Sequence, residues 1–206
     1  MPSKSSLQRA AATIAQTGRS IYAKGWVPAT SGNFSIRLDD DNLAITVSGT
    51  DKGRLSEADT MSINLDGHSA SAKKSSAETG LHLQLYRRDP GIGAVLHTHS
   101  VNATVCSQLV ADKLQFDGLE LLKAFDGITS HESSLSLPVF DNTQDIEALS
   151  AQVEQHMQSS SQGHGYLIRG HGLYTWGATM SDCMRHLEAL EYLLEYYLIS
   201  NGVVKP

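Results

Sequence analysis

The chain has 206 residues, with 16 Lys and Arg against 22 Asp and Glu, for a formal charge of −6. That length suits a single domain, residues 1–206, and the acidic balance argues against nucleic acid, whose phosphates demand clustered Lys and Arg. No apolar run approaches the roughly 20 residues of a bilayer span, Lys and Arg interrupt the first residues where a secretory leader would be apolar, and Cys106 and Cys183 make no disulfide framework. A cytoplasmic protein that binds neither nucleic acid nor membrane is expected.

Residues 5–24 read as an amphipathic helix, with Leu7, Ala11, Ile14, Ala15 and Ile21 on one stripe, ended by Gly25 and Pro28. Short strands are expected at 34–37, 43–47 and 61–65, with turns at Asp39-Asp40-Asp41-Asn42 and Ser48-Gly49-Thr50-Asp51 between them. A polar loop leads into a helix over 77–88. A buried strand starts at Gly93 and runs into His97-Thr98-His99, and residues 100–109 turn helical. From 110 to 143 the pattern is mixed, with a short helix near 119–125 and an irregular stretch to Pro138. A helix over 144–157, strands at 166–168 and 173–176, and a long last helix behind a Thr179/Asp182 capping box complete the chain. Helices at both ends of a set of short strands predict α/β layers over a largely antiparallel or mixed sheet.

Nine histidines stand out, and His97-Thr98-His99 is the sharpest pattern among them. In an extended strand, residues i and i+2 share a face, so both imidazoles can reach one ion; a polar strand end with two solvated histidines is the alternative. His171, between Gly170 and Gly172 in a tight segment joining two strands, is a third candidate. Three imidazoles suit a zinc ion with one position left open for water or substrate, so a catalytic zinc on His97, His99 and His171 is favoured over a closed structural site. His82 and His131 are possible lining residues, and the remaining histidines read as surface or packing groups.

Three short segments suit an anion. Thr30-Ser31-Gly32-Asn33 precedes a strand, Ser48-Gly49-Thr50 follows one, and Ser75-Ser76-Ala77 precedes a helix whose first N–H groups are free. Each alone is as well explained as a plain turn or helix cap. Lys52, Arg54, Lys73 and Lys74 could add charge or simply belong to a solvated loop.

In this order the pieces resemble the class II aldolase/adducin family. Its Gly-Asn turn is Gly32-Asn33, its Ser/Thr-Gly turn is Ser48-Gly49, its Ser-Ser-Glu segment reads Ser76-Ala77-Glu78, and its His-x-His pair and late His are His97, His99 and His171. Ala77 replaces the second Ser of that segment, which removes a hydroxyl and leaves a backbone N–H. Residues 48–55, 120–123, 138–145 and 170–177 are most similar to the branch that dehydrates a methylthio-substituted ketose phosphate in methionine salvage. The resemblance implies a three-layer α/β/α sandwich around a mostly antiparallel sheet and a homotetramer with active sites near subunit interfaces. It also implies one Zn2+ per subunit and a small ketose phosphate substrate held by Asn33, Ser48, Gly49 and Ser76. The implied reaction is loss of water from 5-methylthioribulose 1-phosphate, giving 5-methylthio-2,3-dioxopentyl phosphate.

Two carboxylates compete for the proton transfer. Glu120 lies among Phe116, Leu119, Leu121, Leu122 and Phe125, a setting expected to raise its pKa, although its spacing from Lys123 equally describes a surface ion pair. The resemblance makes Glu120 the acid/base. Glu78 matches the carboxylate that aldolases place beside the metal and ranks second; by itself it reads as a first-turn acid favoured by the helix dipole. Tyr192, Tyr196 and Tyr197 follow the apolar stripe of the last helix and read as core or subunit packing. Two other activities remain open: a metal-dependent sugar-phosphate aldolase relying on Glu78, and a non-catalytic adducin-like interaction module.

Overall fold

A computed structural model describes residues 3–159 and 163–203. Five helices and eight strands alternate along it: α1 (Lys4–Ala23), β1 (Asn33–Arg37), β2 (Asn42–Thr46), β3 (Thr60–Asn64), α2 (Thr79–Arg88), β4 (Ala94–Thr98) and α3 (Val101–Leu109), then β5 (Lys113–Asp117), β6 (Ser134–Phe140), α4 (Ile146–Ser159), β7 (Gly165–Ile168), β8 (Gly172–Gly177) and α5 (Met180–Ser200). The strands form one sheet in the order β3-β2-β1-β4-β8-β7-β6-β5. Every neighbouring pair is antiparallel except β6–β7. The first four strands thus occupy one half of the sheet and the last four the other, and β4 and β8 meet at the seam.

Alternation along the strands sorts the side chains into two cores. Ala44, Ala94, Leu96, Leu167 and Leu173 face α1, α3 and α5. Leu43, Ile45, Val95, Tyr166, Ile168 and Tyr174 face α2 and α4. This is the expected α/β/α sandwich, and it sets the orientation that matters: His97, two residues after Val95, points to the α2 side. No described helix is long and apolar enough to cross a membrane.

The sequence reading departs from the fold mainly between residues 110 and 143. Strands β5 and β6 both occur there and pair with each other through Lys113↔Pro138 to Asp117↔Ser134. Lys113-Leu114-Gln115-Phe116-Asp117 alternates strictly between exposed and buried, a strand pattern that the flanking polar residues obscured. Helix α2 begins at Thr79 instead of residue 77, because Thr79 N (3.1 Å) and Oγ1 (2.6 Å) both donate to Ser76 O and make residues 76–78 a turn.

Candidate active site

His97 is the last buried side chain but one of β4, pressed between β1, where it lies opposite Asn33, and β8, where it lies opposite Tyr174. Its ring stacks on the Tyr174 ring at 4.0 Å between centroids, and its Nδ1–H donates to Leu173 O at 3.0 Å. That bond commits the Nδ1 proton and leaves Nε2 with a free lone pair. His99 follows the strand end and brings its Nε2 to 2.8 Å from His97 Nε2.

The third histidine arrives on the β7–β8 turn. His171 N donates to Ile168 O, Gly170 N donates to Ser107 Oγ at 2.9 Å, and Thr104 Oγ1 donates to His171 O at 3.2 Å, so α3 anchors the turn. Arg169 adds donation from its guanidinium to Ser107 O and Val110 O. A Cβ at Gly172 would overlap Thr98 O, so only glycine lets β8 approach the end of β4 this closely. His171 Nε2 then lies 3.1 Å from His99 Nε2.

Glu78 closes the cluster from the N-terminal end of α2. Its carboxylate is 2.9 Å from His171 Nε2, 3.4 Å from His97 Nε2, and accepts from Asn33 Nδ2 at 3.0 Å. One ligand atom from each of Glu78, His97, His99 and His171 lies within 4.8 Å of the others. Burial pushes His97 well below the usual imidazole range and His99 down to about 4, so both rings are neutral with lone pairs available at neutral pH. Burial would raise Glu78, but the hydrogen bond from His171 and the electrostatic pull of the surrounding imidazoles, which favours the ionised acid, outweigh it and hold the carboxyl at about 2. Neutral imidazoles beside one carboxylate are a donor set that fits a divalent metal.

Next to the cluster is a cavity of about 130 Å³ lined by Thr30, Ser31, Asn33, Ser48, Gly49 and Ser76, with Glu78 and His99 of the cluster also in its wall. A bridge between Val47 and Ser75, with Ser48 N donating to Lys74 O at 2.9 Å, draws the second and third turns together. The first turn is held by Gly32, at φ +76°, where a Cβ would stand 2.7 Å from both His97 O and Val27 Cγ1. All four residues expected to contact phosphate therefore share one cavity wall. Asn33 differs from expectation in one respect: its amide is already engaged with Glu78.

Glu120 is elsewhere. It begins a 3₁₀ turn, Glu120–Ala124, in which Leu122 is buried and the Glu120 side chain is 74% exposed. It accepts from Lys123 Nζ at 2.7 Å and sits 3.9 Å from His131 Nδ1. The expected pKa elevation is not present: the hydrogen bond from Lys123 lowers the carboxyl, because the apolar neighbours turn inward while the acid turns out. His131 is exposed beside it and does not line the cluster. His82 is fully buried and hydrogen-bonded to Ser35, while His164 and His186 flank cavities at the opposite end of β8. Tyr192 and Tyr196 are exposed, and only Tyr197 packs inward, against Phe116.

The class II aldolase and adducin N-terminal domain matches residues 12–198. The chain belongs to this family. Among curated members, it is 58% identical to the methylthioribulose-1-phosphate dehydratase of Alcanivorax borkumensis, over 90% of this chain and 88% of that one. It is 53% identical to the Pseudomonas aeruginosa protein of the same name, over 88% and 90%. Among solved structures, L-fuculose-1-phosphate aldolase from Thermus thermophilus superposes with a TM-score of 0.74 at 25% identity, covering 92% of this chain and 93% of that one. YgbL of Escherichia coli, described as an aldolase/epimerase/decarboxylase, superposes at 0.77 with 22% identity, over 90% and 86%, and shows the shared fold.

Proposed function

We propose that this member of the family, acting as a single cytoplasmic domain, is a hydro-lyase that dehydrates 5-methylthioribulose 1-phosphate. The observation that carries the reading is the junction of a three-histidine, one-carboxylate cluster with a phosphate-sized cavity, in a chain more than half identical to dehydratases of that name. His97, His99 and His171 would hold zinc, which the imidazole set suits. When bound there, the ion supplies Lewis-acid stabilisation of charge developing on the substrate's oxygens, worth several kcal/mol.

The chain's own residues do the rest. Ser48, Gly49, Ser76 and the Asn33 turn hold the phosphate, which fixes the sugar carbons over the cluster; most of the acceleration from orientation depends on that grip. Glu120 takes the C3 proton, acidic because it is α to the C2 ketone, and returns it to the C4 hydroxyl, which leaves as water. The resulting C3–C4 enol ketonises to the 2,3-diketone. A carboxylate placed for this contributes roughly 10²–10⁴ in rate. Since Glu120 stands outside the cluster of its own chain, the reading has it presented to the cluster of a neighbouring subunit in a homotetramer. Glu78 sets the electrostatics of the cluster.

A second reading is a retro-aldol cleavage of C3–C4, favoured by the position of Glu78 inside the cluster. The mass spectrum of products from 5-methylthioribulose 1-phosphate separates the two. One product lighter by a single water supports the dehydratase. Two shorter fragments establish the aldolase, and unchanged substrate with metal bound overturns both.

A further inference from the structure

The cavity wall contains a charge problem. Its polar side chains are the neutral ones of Thr30, Ser31, Asn33, Thr46, Ser48, Ser76 and His99, and the ionised side chain among its described lining residues is the carboxylate of Glu78. Neutral donors alone leave a phosphate dianion without a charge-assisted contact in this wall, away from the cluster. The surface cations do not meet that need: Arg54 is 89% exposed and paired with Asp51, Lys73 donates to Ala58 O, and Lys74 is exposed.

Lys52 differs from all of these. It is 1% exposed, and its Nζ donates to Thr30 O at 3.0 Å and to Thr50 O at 2.8 Å. Thr30 lines the cavity, and Thr50 directly follows Gly49, which lines it. The ammonium therefore links the first and second turns of the cradle through their carbonyls, with a third proton to spare. No carboxylate among the described residues hydrogen-bonds to it: the adjacent Asp51 instead accepts from Gly53 N at 2.9 Å. Burial pushes the amine down to about 8, against the pull of Asp51, so the folded protein carries a charge that the fold itself disfavours. A buried cation without a carboxylate partner, at the edge of a neutral anion-sized cavity, marks a functional position more than a stabilising one.

We propose that Lys52 is the charge partner of the substrate's phosphate: a buried ammonium that clasps the two turns through Thr30 and Thr50 and supplies the positive potential their neutral donors lack. This deepens the dehydratase reading and rests on it for the identity of the substrate.

The test uses the full-length, metal-loaded protein with inorganic phosphate as the probe, alongside turnover of 5-methylthioribulose 1-phosphate. Lys52→Met removes both the charge and the clasp. Lys52→Gln removes the charge and keeps two N–H donors for the carbonyls, so it guards against a variant that fails to fold. The expected result is that both variants keep their metal, lose about 10- to 100-fold in phosphate affinity, and raise KM by a similar factor with kcat changed much less. Melting temperatures that hold or rise support the same conclusion. Phosphate affinity retained in Lys52→Gln and lost only in Lys52→Met would reduce Lys52 to a clasp and overturn its role as charge partner. Affinity within twofold of the parent in both would overturn it outright. Lys52-dependent phosphate binding in a protein that leaves the ketose phosphate intact would keep this assignment and reject the substrate.

Discussion

The side-chain amide of Asn33 donates to Glu78 Oε2 at 3.0 Å, across the gap between β1 and the start of α2. Asn33 also lies directly opposite His97 in the β1–β4 register, so one residue touches both the wall of the anion cavity and the carboxylate of the histidine cluster. Losing a hydrogen bond to a charged group costs about 1.5–3 kcal/mol. Asn33→Ala is therefore expected to lower kcat/KM by about 10- to 100-fold with metal content maintained. Asn33→Asp should do worse, since it sets a second carboxylate against Glu78. Steady-state kinetics with parallel metal analysis checks both.

Glu120→Gln is expected to retain metal and fold and to lose turnover by about 10²–10⁴, while Glu78→Gln retains more activity. Because Glu120 is exposed on its own chain, inactive Glu120→Gln and inactive His97→Ala subunits should restore activity when unfolded and refolded together. Activity that stays absent in the mixed assemblies would place both residues in one chain's site.

Acid should destabilise the metal-free protein well above the carboxylate range. His82 is fully buried, and burial depresses it to about 3, partly offset by the charge of Glu78. His164 is depressed to about 4 by burial and by His186. Between the ordinary imidazole pKa of about 6.5 and these values the unfolded chain binds protons that the folded chain does not, so stability falls as pH falls through that window. Melting curves from pH 7 to 4 should show this loss. His82→Gln should flatten the curve by about one proton's worth of slope.

Gly172 is the position where packing and site geometry meet. A side chain there collides with Thr98 O and comes within 3.2 Å of His97 Cε1, so Gly172→Ala must part β8 from β4. A cost of about 1–3 kcal/mol and a marked loss of metal affinity are expected, measured by thermal melting and by metal titration. An alanine variant that binds metal like the parent would show that the seam is softer than its contacts imply.

Much of this site was legible in the sequence because the relevant geometry is local. His97 and His99 are two apart on a strand, and the glycines around His171 announce a tight turn. The clustering of Asn33, Ser48, Gly49 and Ser76 followed from a family resemblance, and the physical cause, a β-bridge between Val47 and Ser75, is a long-range contact with no local signature. Glu120 shows the opposite failure. Apolar neighbours in sequence suggest burial, but on a 3₁₀ turn Leu122 and Phe125 go inward and the acid that precedes them does not. Lys52 failed in the same way with the sign reversed: a lysine in a polar loop reads as solvated, and only the fold over it shows that it is enclosed. The strands at 113–117 and 134–140 were missed where Pro138 and interleaved serines diluted a valid alternation.

The β4–β8 seam also sets a timetable for making the protein. His97 and His99 leave the ribosome on one half of the sheet, and His171 follows 72 residues after His99 on the other. At about 5–20 residues per second, that interval is roughly 4–14 seconds, during which the nascent chain exposes two imidazoles and a carboxylate that lack their last partner. Until β8, Gly172–Gly177, has been made, His171 has no strand to carry it to the cluster, so a chain stopped before that strand would leave the cluster without one of its three imidazoles.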